Sequence, residues 1–174
     1  LIGNRTTLEV PSGVTTYQFD SLNRLTKVTS PQNLVTTYEY DSVGNELKIN
    51  YPNSITTRRE FDPLNRELVV ESKNGALTLQ RFDYTYDLAG NRLSLIDHTG
   101  RVSDFSYDKL YRLTQEAVTD PNLSDETTIF SYDKVGNRLS HTDSQGTVNY
   151  TYDNNDRLLS AGATTFTYDN NGNT

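Results

Sequence analysis

One stretch, FSYDKVGNRL at residues 130–139, decides the fold, because its aromatic-Asp dipeptide returns eight times along the chain. The eight dipeptides are Phe19-Asp20, Tyr40-Asp41, Phe61-Asp62, Tyr86-Asp87, Tyr107-Asp108, Tyr132-Asp133, Tyr152-Asp153 and Tyr168-Asp169. Successive aspartates are 21, 21, 25, 21, 25, 20 and 16 residues apart. Spacings of this size are typical of stacked supersecondary units, so the chain is predicted to be a tandem repeat array.

A second aromatic residue stands two positions before the first in all but one of the repeats. These residues are Tyr17, Tyr38, Tyr84, Phe105, Phe130, Tyr150 and Phe166, and Arg59 is the single exception. Side chains at i and i+2 of a β-strand share one face of the sheet, so each repeat places two rings on the same side. Stacked repeats are therefore expected to form an aromatic ladder, in which each ring contact adds roughly 0.5–1.5 kcal/mol beyond its area burial.

The residues after each aspartate predict a turn that comes in two alternating forms. The short form, Asp-x-x-Asn/Tyr/Asp-Arg, ends in Asn23-Arg24, Asn65-Arg66, Tyr111-Arg112 and Asp156-Arg157. The long form, Asp-x-x-Gly-Asn, ends in Gly44-Asn45, Gly90-Asn91, Gly136-Asn137 and Gly172-Asn173. Because the two forms alternate without exception, the true repeating unit is predicted to be a pair of repeats.

The repeated aspartate is predicted to cap its turn, because a carboxylate at the first turn position accepts backbone N–H groups two or three residues on. Calcium ligation is the alternative, since aspartate, asparagine and carbonyl oxygens suit hard cations. No segment matches the EF-hand loop, and no metal or cofactor is predicted. Seven arginines are expected to pair with carboxylates of adjacent repeats, each pair contributing about 0–1 kcal/mol. They are Arg5, Arg24, Arg66, Arg92, Arg112, Arg138 and Arg157.

A second set of reversals, rich in Gly, Pro, Asn and Ser, splits the repeats into pairs of strands. These reversals are residues 11–13, 30–33, 51–54, 72–75, 97–100, 143–146 and 161–162. The segments between them are rich in β-branched and aromatic residues and alternate as half-buried strands do. The predicted class is all-β, with tandem β-hairpins joined into one long antiparallel sheet and no helical periodicity.

Composition narrows the function. The chain of 174 residues has no cysteine, so it has neither a disulfide nor a cysteine metal site, and it has no methionine. Its formal net charge of −7 argues against nucleic-acid binding, which basic patches support. No apolar run reaches the roughly 20 residues of a membrane helix. Because the chain starts and stops inside a motif, residues 1–174 are expected to be a single array, a segment of a longer protein without native ends.

The chain resembles the YD repeats of the Rhs family. The family pattern is roughly Tyr-Asp-x-x-Gly-Asn-Arg-Leu, followed about a dozen residues later by Gly and then Tyr-x-Tyr-Asp. Residues 86–93 and 132–139 match this pattern almost letter for letter, and the resemblance covers the whole chain. The departures are Phe19 and Phe61 in place of Tyr, Glu46 in place of Arg, Tyr111 in place of Gly, and a compact last repeat.

The resemblance implies a fold and a setting. Similar repeats in bacterial polymorphic toxins, insecticidal toxin complexes, wall-associated proteins and teneurins wind a β-sheet spirally into a hollow shell, which in the toxins encloses a C-terminal effector. The implied function is that of a non-catalytic structural wall in a secreted or cell-surface protein. The implied partners are adjacent repeats or identical chains and an encapsulated C-terminal toxin domain. The Asp-Pro-x-Gly core motif of the toxin families is absent, since Asp62-Pro63 and Asp120-Pro121 lack the rest.

Two other functions stay open beside the shell wall. The strict alternation of turns suggests the repeating unit of an extracellular filament, tube or adhesin. The rows of tyrosine suggest a carbohydrate-binding surface with glycans as partners. No catalytic residue is predicted, because no Ser-His-Asp set, nucleophile elbow or phosphate-binding loop is present. His98 and His141 are expected to be exposed turn residues, and the isolated chain is expected to self-associate through unpaired strand edges.

Overall fold

The structure is a computed structural model that describes residues 3–174, which form two compact units that divide after Tyr84. Unit one contains β1 (Thr7–Val10), β2 (Gly13–Phe19), β3 (Leu25–Thr29), β4 (Val35–Tyr40), β5 (Glu46–Asn50), β6 (Ile55–Phe61), β7 (Glu67–Asn74) and most of β8 (Leu77–Tyr86). Unit two contains β9 (Arg92–Asp97), β10 (Val102–Tyr107), β11 (Leu113–Thr119), β12 (Glu126–Tyr132), β13 (Arg138–Asp143), β14 (Gly146–Tyr152), β15 (Leu158–Ala161) and β16 (Thr164–Thr165). Every regular element between residues 3 and 174 is a β-strand.

The strands form tandem antiparallel hairpins, and their hydrogen-bonded order simply follows the chain from β1 to β16. In unit one, for example, Tyr17 on β2 pairs with Val28 on β3, and Tyr38 on β4 pairs with Ile49 on β5. In unit two, Phe130 on β12 pairs with His141 on β13. The predicted all-β class and the hairpin architecture are confirmed.

At six of the dipeptides a β-bulge lies opposite the aromatic residue, on the strand that follows it. At the first dipeptide, Gln18 pairs with Lys27 but Phe19 pairs with Leu25, so one extra residue is inserted on the following strand. The same shift occurs before Tyr40, Phe61, Tyr107, Tyr132 and Tyr152. A bulge increases the local twist and re-aims the side chains beside it. The aromatic residue and its aspartate are therefore held in the same orientation in each of these hairpins.

Within each unit, strand direction alternates, so the two kinds of reversal lie at opposite ends of the strands. They form the two margins of the sheet that run across the strand direction. We call the edge formed by the residues after the aromatic-Asp dipeptides the YD-turn edge, and the other the reversal edge. One member of the reversal edge escaped the sequence prediction: residues 120–125 connect β11 to β12. Another is displaced, because the turn predicted at residues 72–75 lies at Gly75 and Ala76.

In the described part of the chain the strands form a single layer, and each strand contacts only its neighbours in the chain. Among residues 3–174, Ile49 is the only buried apolar residue, and Thr57, Glu71 and Ser103 are the buried polar residues. Such an array gains stability from nearest-neighbour contacts, as solenoids do, and not from a central core. The low hydrophobic content of 33% is sufficient for this arrangement.

Candidate functional site

Each aspartate of the repeated dipeptide organises the turn that follows it. In the turn after Asp41, one carboxylate oxygen, Oδ1, accepts the N–H groups of Val43, Gly44 and Asn45 at 3.0, 2.8 and 2.9 Å. The backbone N–H of Asp41 donates to the carbonyl of Asn45 at 3.0 Å, which closes the turn. Asp133 repeats this arrangement with the N–H groups of residues 135–137. The carboxylate thus satisfies turn N–H groups that would otherwise depend on water.

The two turn forms have the same length and differ only in chemistry. In both, the third residue after the aspartate has a positive φ, which Gly and Asn adopt at little cost. In the long form this residue is Gly44, Gly90, Gly136 or Gly172, with φ of 106°, 95°, 109° and 83°. In the short form it is Asn23, Asn65, Tyr111 or Asp156, with φ of 63°, 61°, 62° and 60°. The names short and long therefore describe sequence patterns and not loop lengths.

The fourth residue after the aspartate binds the second carboxylate oxygen, Oδ2. In the short form, the Nε atoms of Arg24, Arg66, Arg112 and Arg157 lie 2.7, 2.6, 2.7 and 2.7 Å from Oδ2 of Asp20, Asp62, Asp108 and Asp153. In the long form, the Nδ2 atoms of Asn45, Asn91, Asn137 and Asn173 lie 2.8, 2.7, 3.0 and 3.0 Å from Oδ2 of Asp41, Asp87, Asp133 and Asp169. The prediction that these four arginines pair with adjacent repeats is wrong about the partner, because each binds the aspartate of its own turn.

The same arginines and asparagines also tie each turn to the next, which gives the alternation a physical reason. The guanidinium of Arg24 donates to the carbonyl of Asp41 at 2.7 Å, and Arg112 does the same to Asp133 at 2.7 Å. The amide of Asn45 donates to Oδ1 of Asn65 at 2.9 Å. Further amide links join Asn137 to Asp156 at 2.7 Å and Asn4 to Asn23 at 3.1 Å. Arginine links thus follow short turns, and amide links follow long turns.

Tyr111 interrupts this relay. It occupies the position where Asn23, Asn65 and Asp156 offer a side-chain oxygen to the preceding asparagine. Its phenol has no amide or carboxylate oxygen, and in the described chain no bond from Asn91 to Tyr111 is formed. Tyr111 also holds a φ of 62° although it is neither Gly nor Asn. A bulky residue in this left-handed region is strained.

Four tyrosines of the dipeptides fasten their hairpins to the preceding turn. Their phenols donate to a backbone carbonyl five residues after the previous aspartate: Tyr40 to Leu25 at 2.8 Å, Tyr107 to Arg92 at 2.9 Å, Tyr152 to Arg138 at 3.0 Å and Tyr168 to Leu158 at 2.9 Å. Burial raises the pKa of Tyr40 and Tyr107, which keeps these phenols protonated as donors. Phe19 and Phe61 lack the hydroxyl needed for this bond.

The predicted aromatic ladder is a ladder of rings and guanidinium groups. The guanidinium carbon of Arg138 lies 4.4 Å from the ring centre of Tyr150 and 6.0 Å from that of Phe130. Arg24, Arg112 and Arg157 lie over Tyr40, Tyr132 and Tyr168 at 4.8, 4.9 and 5.0 Å. Equivalent rings stand two strands apart, about 9.5 Å, which exceeds the distance at which rings stack directly. An intervening cation fills the gap.

Glu46 and Arg59 both depart from the repeat pattern, and the two departures are linked by a direct contact. Glu46 stands where Arg92 and Arg138 stand in other long-form repeats, and Arg59 replaces the first aromatic residue. In the structure Arg59 forms ion pairs with Glu46 and with Glu67, the latter at 3.3 Å. A ring and a cation have therefore been replaced together by a cation and a carboxylate.

Other titratable groups do not converge on a site. His98 is exposed in a reversal, as expected, but His141 lies half-buried on β13, stacked on Phe130 at 5.5 Å with Nε2 3.3 Å from Asp143. The expectation of an exposed turn residue is wrong for His141. No group of three or more His, Cys, Asp or Glu side chains that could hold a metal occurs within residues 3–174. The part of the chain that the structure describes also contains no helix long and apolar enough to cross a membrane.

The turn-capping aspartates, the ring and guanidinium ladder and the one-layer sheet define a tandem β-hairpin repeat protein. The RHS Repeat family model matches residues 19–57, and the Teneurin YD-shell family model matches residues 102–174. The resemblance to the YD-repeat family is therefore confirmed. No curated protein sequence matches the chain.

Solved structures that share the fold include TcdB2-TccC3 complexes and a Tc holotoxin pore. The crystal structure of TcdB2-TccC3-TEV is 18% identical, with a TM-score of 0.62, and the match covers 84% of this chain and 10% of that chain. The crystal structure of TcdB2-TccC3 without its hypervariable C-terminal region gives the same values. The Photorhabdus luminescens Tc holotoxin pore, with a mutated TccC3, is 16% identical with a TM-score of 0.61, covering 91% and 12%. The chain thus spans about a tenth of these chains, and the likeness shows a shared fold.

The strain at Tyr111 makes a first prediction. Tyr111→Asn should raise the free energy of unfolding by about 0.5–1.5 kcal/mol, because Asn tolerates the positive φ and offers Asn91 an acceptor. Urea denaturation followed by circular dichroism measures the change. Tyr111→Ala is the control and should give no such gain, since Ala relieves neither problem. An Asn variant no more stable than the parent would contradict the explanation.

The capping aspartates predict acid sensitivity. Backbone N–H donation from the arginine four residues later holds the pKa of Asp20, Asp62, Asp108 and Asp153 below its usual range, against opposing desolvation. The pKa values of Asp87 and Asp169 are also lowered, and the largest cause is the hydrogen bond from the side-chain amide of the asparagine four residues later. At Asp41 and Asp133 desolvation is the largest influence and raises the pKa, but the hydrogen bonds together outweigh it and lower it.

A pKa lowered in the folded state stabilises the fold above the unfolded pKa of about 4, and this stability is lost as pH falls further. The urea midpoint should therefore stay level from pH 7 to about 5 and fall below about pH 4. Asp108→Asn should lower the midpoint at pH 7 and reduce its fall in acid. Asp104→Asn, on the exposed part of β10, is the control, and an equal effect of both substitutions on the acid slope would refute the assignment.

The exchange at Glu46 and Arg59 predicts coupling. Glu46→Arg should destabilise the chain, because two guanidinium groups then meet, and Arg59→Tyr should leave the carboxylate of Glu46 beside a ring. The double variant restores a ring and a cation, so it should be more stable than the sum of the single effects by about 1–2 kcal/mol. A double-mutant cycle in urea measures this coupling, and additive effects would show that the two departures are independent.

Proposed function

We propose that this chain is a wall segment of a large secreted or surface YD-repeat protein. Its function is structural and non-catalytic: the repeats build a spirally wound β-sheet shell that can enclose a C-terminal toxin domain. The proposed features are the closed shell, the enclosed domain and the extracellular location. Its partners would be adjacent repeats and the enclosed domain.

The turn-to-turn relay is the observation that carries this proposal. Arginine or amide links at the YD-turn edge fasten consecutive turns, except at Tyr111, and tyrosine phenols add bonds across the strands. These links are local and repeat along the chain, so the array can be extended without a new core. A wall made of such hairpins needs only one layer. The likeness to TccC3-containing complexes supports a shell as the form that the extended array takes.

A filament or adhesin is the second candidate, and the strict alternation of turn forms favours it. Because arginine links and amide links alternate, the repeating structural unit is a pair of hairpins. A regular pair is the kind of unit from which an open assembly could be built. The two candidates therefore share their local structure and differ in whether the array closes.

A carbohydrate surface is less well supported. The tyrosine faces that would stack on sugar rings are partly covered by guanidinium groups, as Arg24 covers Tyr40 and Arg138 covers Tyr150. A sugar would have to displace a cation that also takes part in the turn network. The net charge of −7 likewise leaves nucleic acid as an unsuitable partner.

Electron microscopy of the untruncated protein that contains this segment tests the proposal. We expect closed hollow particles with density inside, together with a C-terminal domain that resists protease until the shell is opened. Filaments whose axial rise equals one hairpin pair would overturn the shell and establish the second candidate. Hollow particles without internal density and with a protease-sensitive C-terminus would retain the wall but refute encapsulation.

A further inference from the structure

We propose that the YD-turn edge of unit two docks onto the reversal edge of a second copy of this repeat array. In unit two the YD-turn edge comprises residues 87–91, 108–112, 133–137, 153–157 and 169–173. The reversal edge comprises residues 97–101, 120–126, 143–146 and 162–163. The inference depends on the surface chemistry of these edges and holds whether or not the array closes into a shell.

Apolar side chains recur at the tips of the YD turns. Leu110 and Val135 are both the second residue after their aspartate, and their exposed fractions are 64% and 73%. Leu88, in the preceding turn, is fully exposed. In unit one considered by itself, Leu22, Val43 and Leu64 occupy the same second position and are also exposed. Turn tips favour Gly, Asn, Asp and Ser, so a recurring apolar residue indicates a contact outside the turn.

Tyr111 adds an aromatic side chain to this edge. It lies beside Leu110, and its exposed fraction is also 64%. It retains a strained φ of 62°, and it does not accept the amide link that its counterparts accept. Neither the conformation nor the exposure of Tyr111 benefits the folded chain. A strained residue kept at the surface is a reason to look for a function, and here the available function is contact with a partner.

Two turns of this edge each carry an exposed lysine. Lys109 and Lys134 each directly follow a capping aspartate, both are exposed, and neither has an ion-pair partner within residues 3–174. The neighbouring carboxylates of Asp108 and Asp133 are already occupied by hydrogen bonds from their own turns. The lysines are therefore the charged groups of these two turns that are free to meet a partner.

The reversal edge of unit two has the complementary character. It carries five carboxylates, on Asp97, Asp120, Asp125, Glu126 and Asp143, against the single guanidinium of Arg101. Four of these carboxylates accept backbone N–H groups of their own reversals through Oδ1. Arg101 lies 3.9 Å from Oδ2 of Asp120, and His141 lies 3.3 Å from Oδ2 of Asp143. Within residues 3–174, the Oδ2 atoms of Asp97 and Asp125 and the carboxylate of Glu126 are therefore the acidic groups open to a partner. Leu123 stands in the same edge with an exposed fraction of 75%. The reversal edge thus places acidic groups around an exposed leucine, and the YD-turn edge places lysines beside exposed apolar residues. The two surfaces are complementary in charge and both offer apolar contacts.

The two edges also share one period. YD turns join β10 to β11 and β12 to β13, whereas reversals join β9 to β10, β11 to β12 and β13 to β14. Both kinds of connection therefore recur every second strand, or about 9.5 Å. Lys109 and Lys134 can thus meet successive acidic reversals of a second copy at once. The contact joins two different surfaces, so further copies could add in the same direction.

Each turn contributes only a few side chains, so the contact between two short arrays is weak. We expect a dissociation constant in the range of roughly 10 µM to 1 mM for the 174-residue chain, and stronger association for longer arrays that engage several turns at once. Because lysines and carboxylates contribute, added salt should weaken it.

Sedimentation velocity of the 174-residue chain across 1–500 µM tests the inference. Lys109→Glu with Lys134→Glu should lower the association constant at least tenfold. The double variant Leu110→Ser with Tyr111→Asn should lower the association constant by a similar factor. Because Tyr111→Asn is expected to stabilise the fold, weaker association of this variant cannot be explained by unfolding. Lys27→Glu, on strand β3 away from both edges, is the matched control and should change nothing.

A charge exchange identifies the partner surface. Glu126→Lys alone should weaken association, and mixing it with the Lys109→Glu and Lys134→Glu variant should restore association between the two. A chain that stays monomeric throughout would overturn the proposal. So would association that all the turn variants leave unchanged, because it would then run through the outermost strands β1 and β16.

Discussion

The carboxylate of the turn aspartate is the interaction on which the rest of the structure depends. Its first oxygen collects the N–H groups of the turn, and its second oxygen holds the arginine or asparagine four residues later. One side chain therefore sets the turn and aims the donor that reaches the next turn. The β-bulge that lies opposite six of the dipeptides adds local twist beside this aspartate. An amide could not serve both purposes equally, because hydrogen bonds to a charged acceptor are the stronger ones.

All the turns share one backbone conformation, but the residue four positions after the aspartate alternates between arginine and asparagine. Neighbouring turns therefore differ in the hydrogen bond that they donate. A guanidinium reaches a backbone carbonyl of the following turn, whereas an asparagine amide reaches a side-chain oxygen. Each turn form thus offers what the next form needs, and a run of one form would lose this complementarity. The exchange at Glu46 and Arg59 shows the same rule between strands, because the space between two hairpins is filled by a matched pair even when both members change.

This design explains how a polar chain with hardly any buried apolar residue can fold. Stability comes from contacts between consecutive hairpins, namely backbone ladders, phenol bonds and cations over rings, and not from a central core. Function in such an array belongs to its surfaces. The YD-turn and reversal edges, with their exposed leucines, lysines and carboxylates, are surfaces through which the array can meet other molecules.

Local patterns in the sequence determined the strands, most of the reversals and the repeat class, because alternation of side chains and the preferences of Gly, Asn, Asp and Pro act over a few residues. The spacing of the dipeptides was enough to predict tandem hairpins. Only the tertiary structure decided which side chains meet across strands. The pairing of Arg24 with its own Asp20, the cations between the rings, the exchange at Glu46 and the bulges depend on register, which a one-residue shift would change completely. The reversal at residues 120–125 was missed because it falls between two repeats whose spacing already fitted the array. The equal length of the two turn forms was hidden for a similar reason: Gly, Asn, Asp and Tyr look different in sequence but share one backbone conformation.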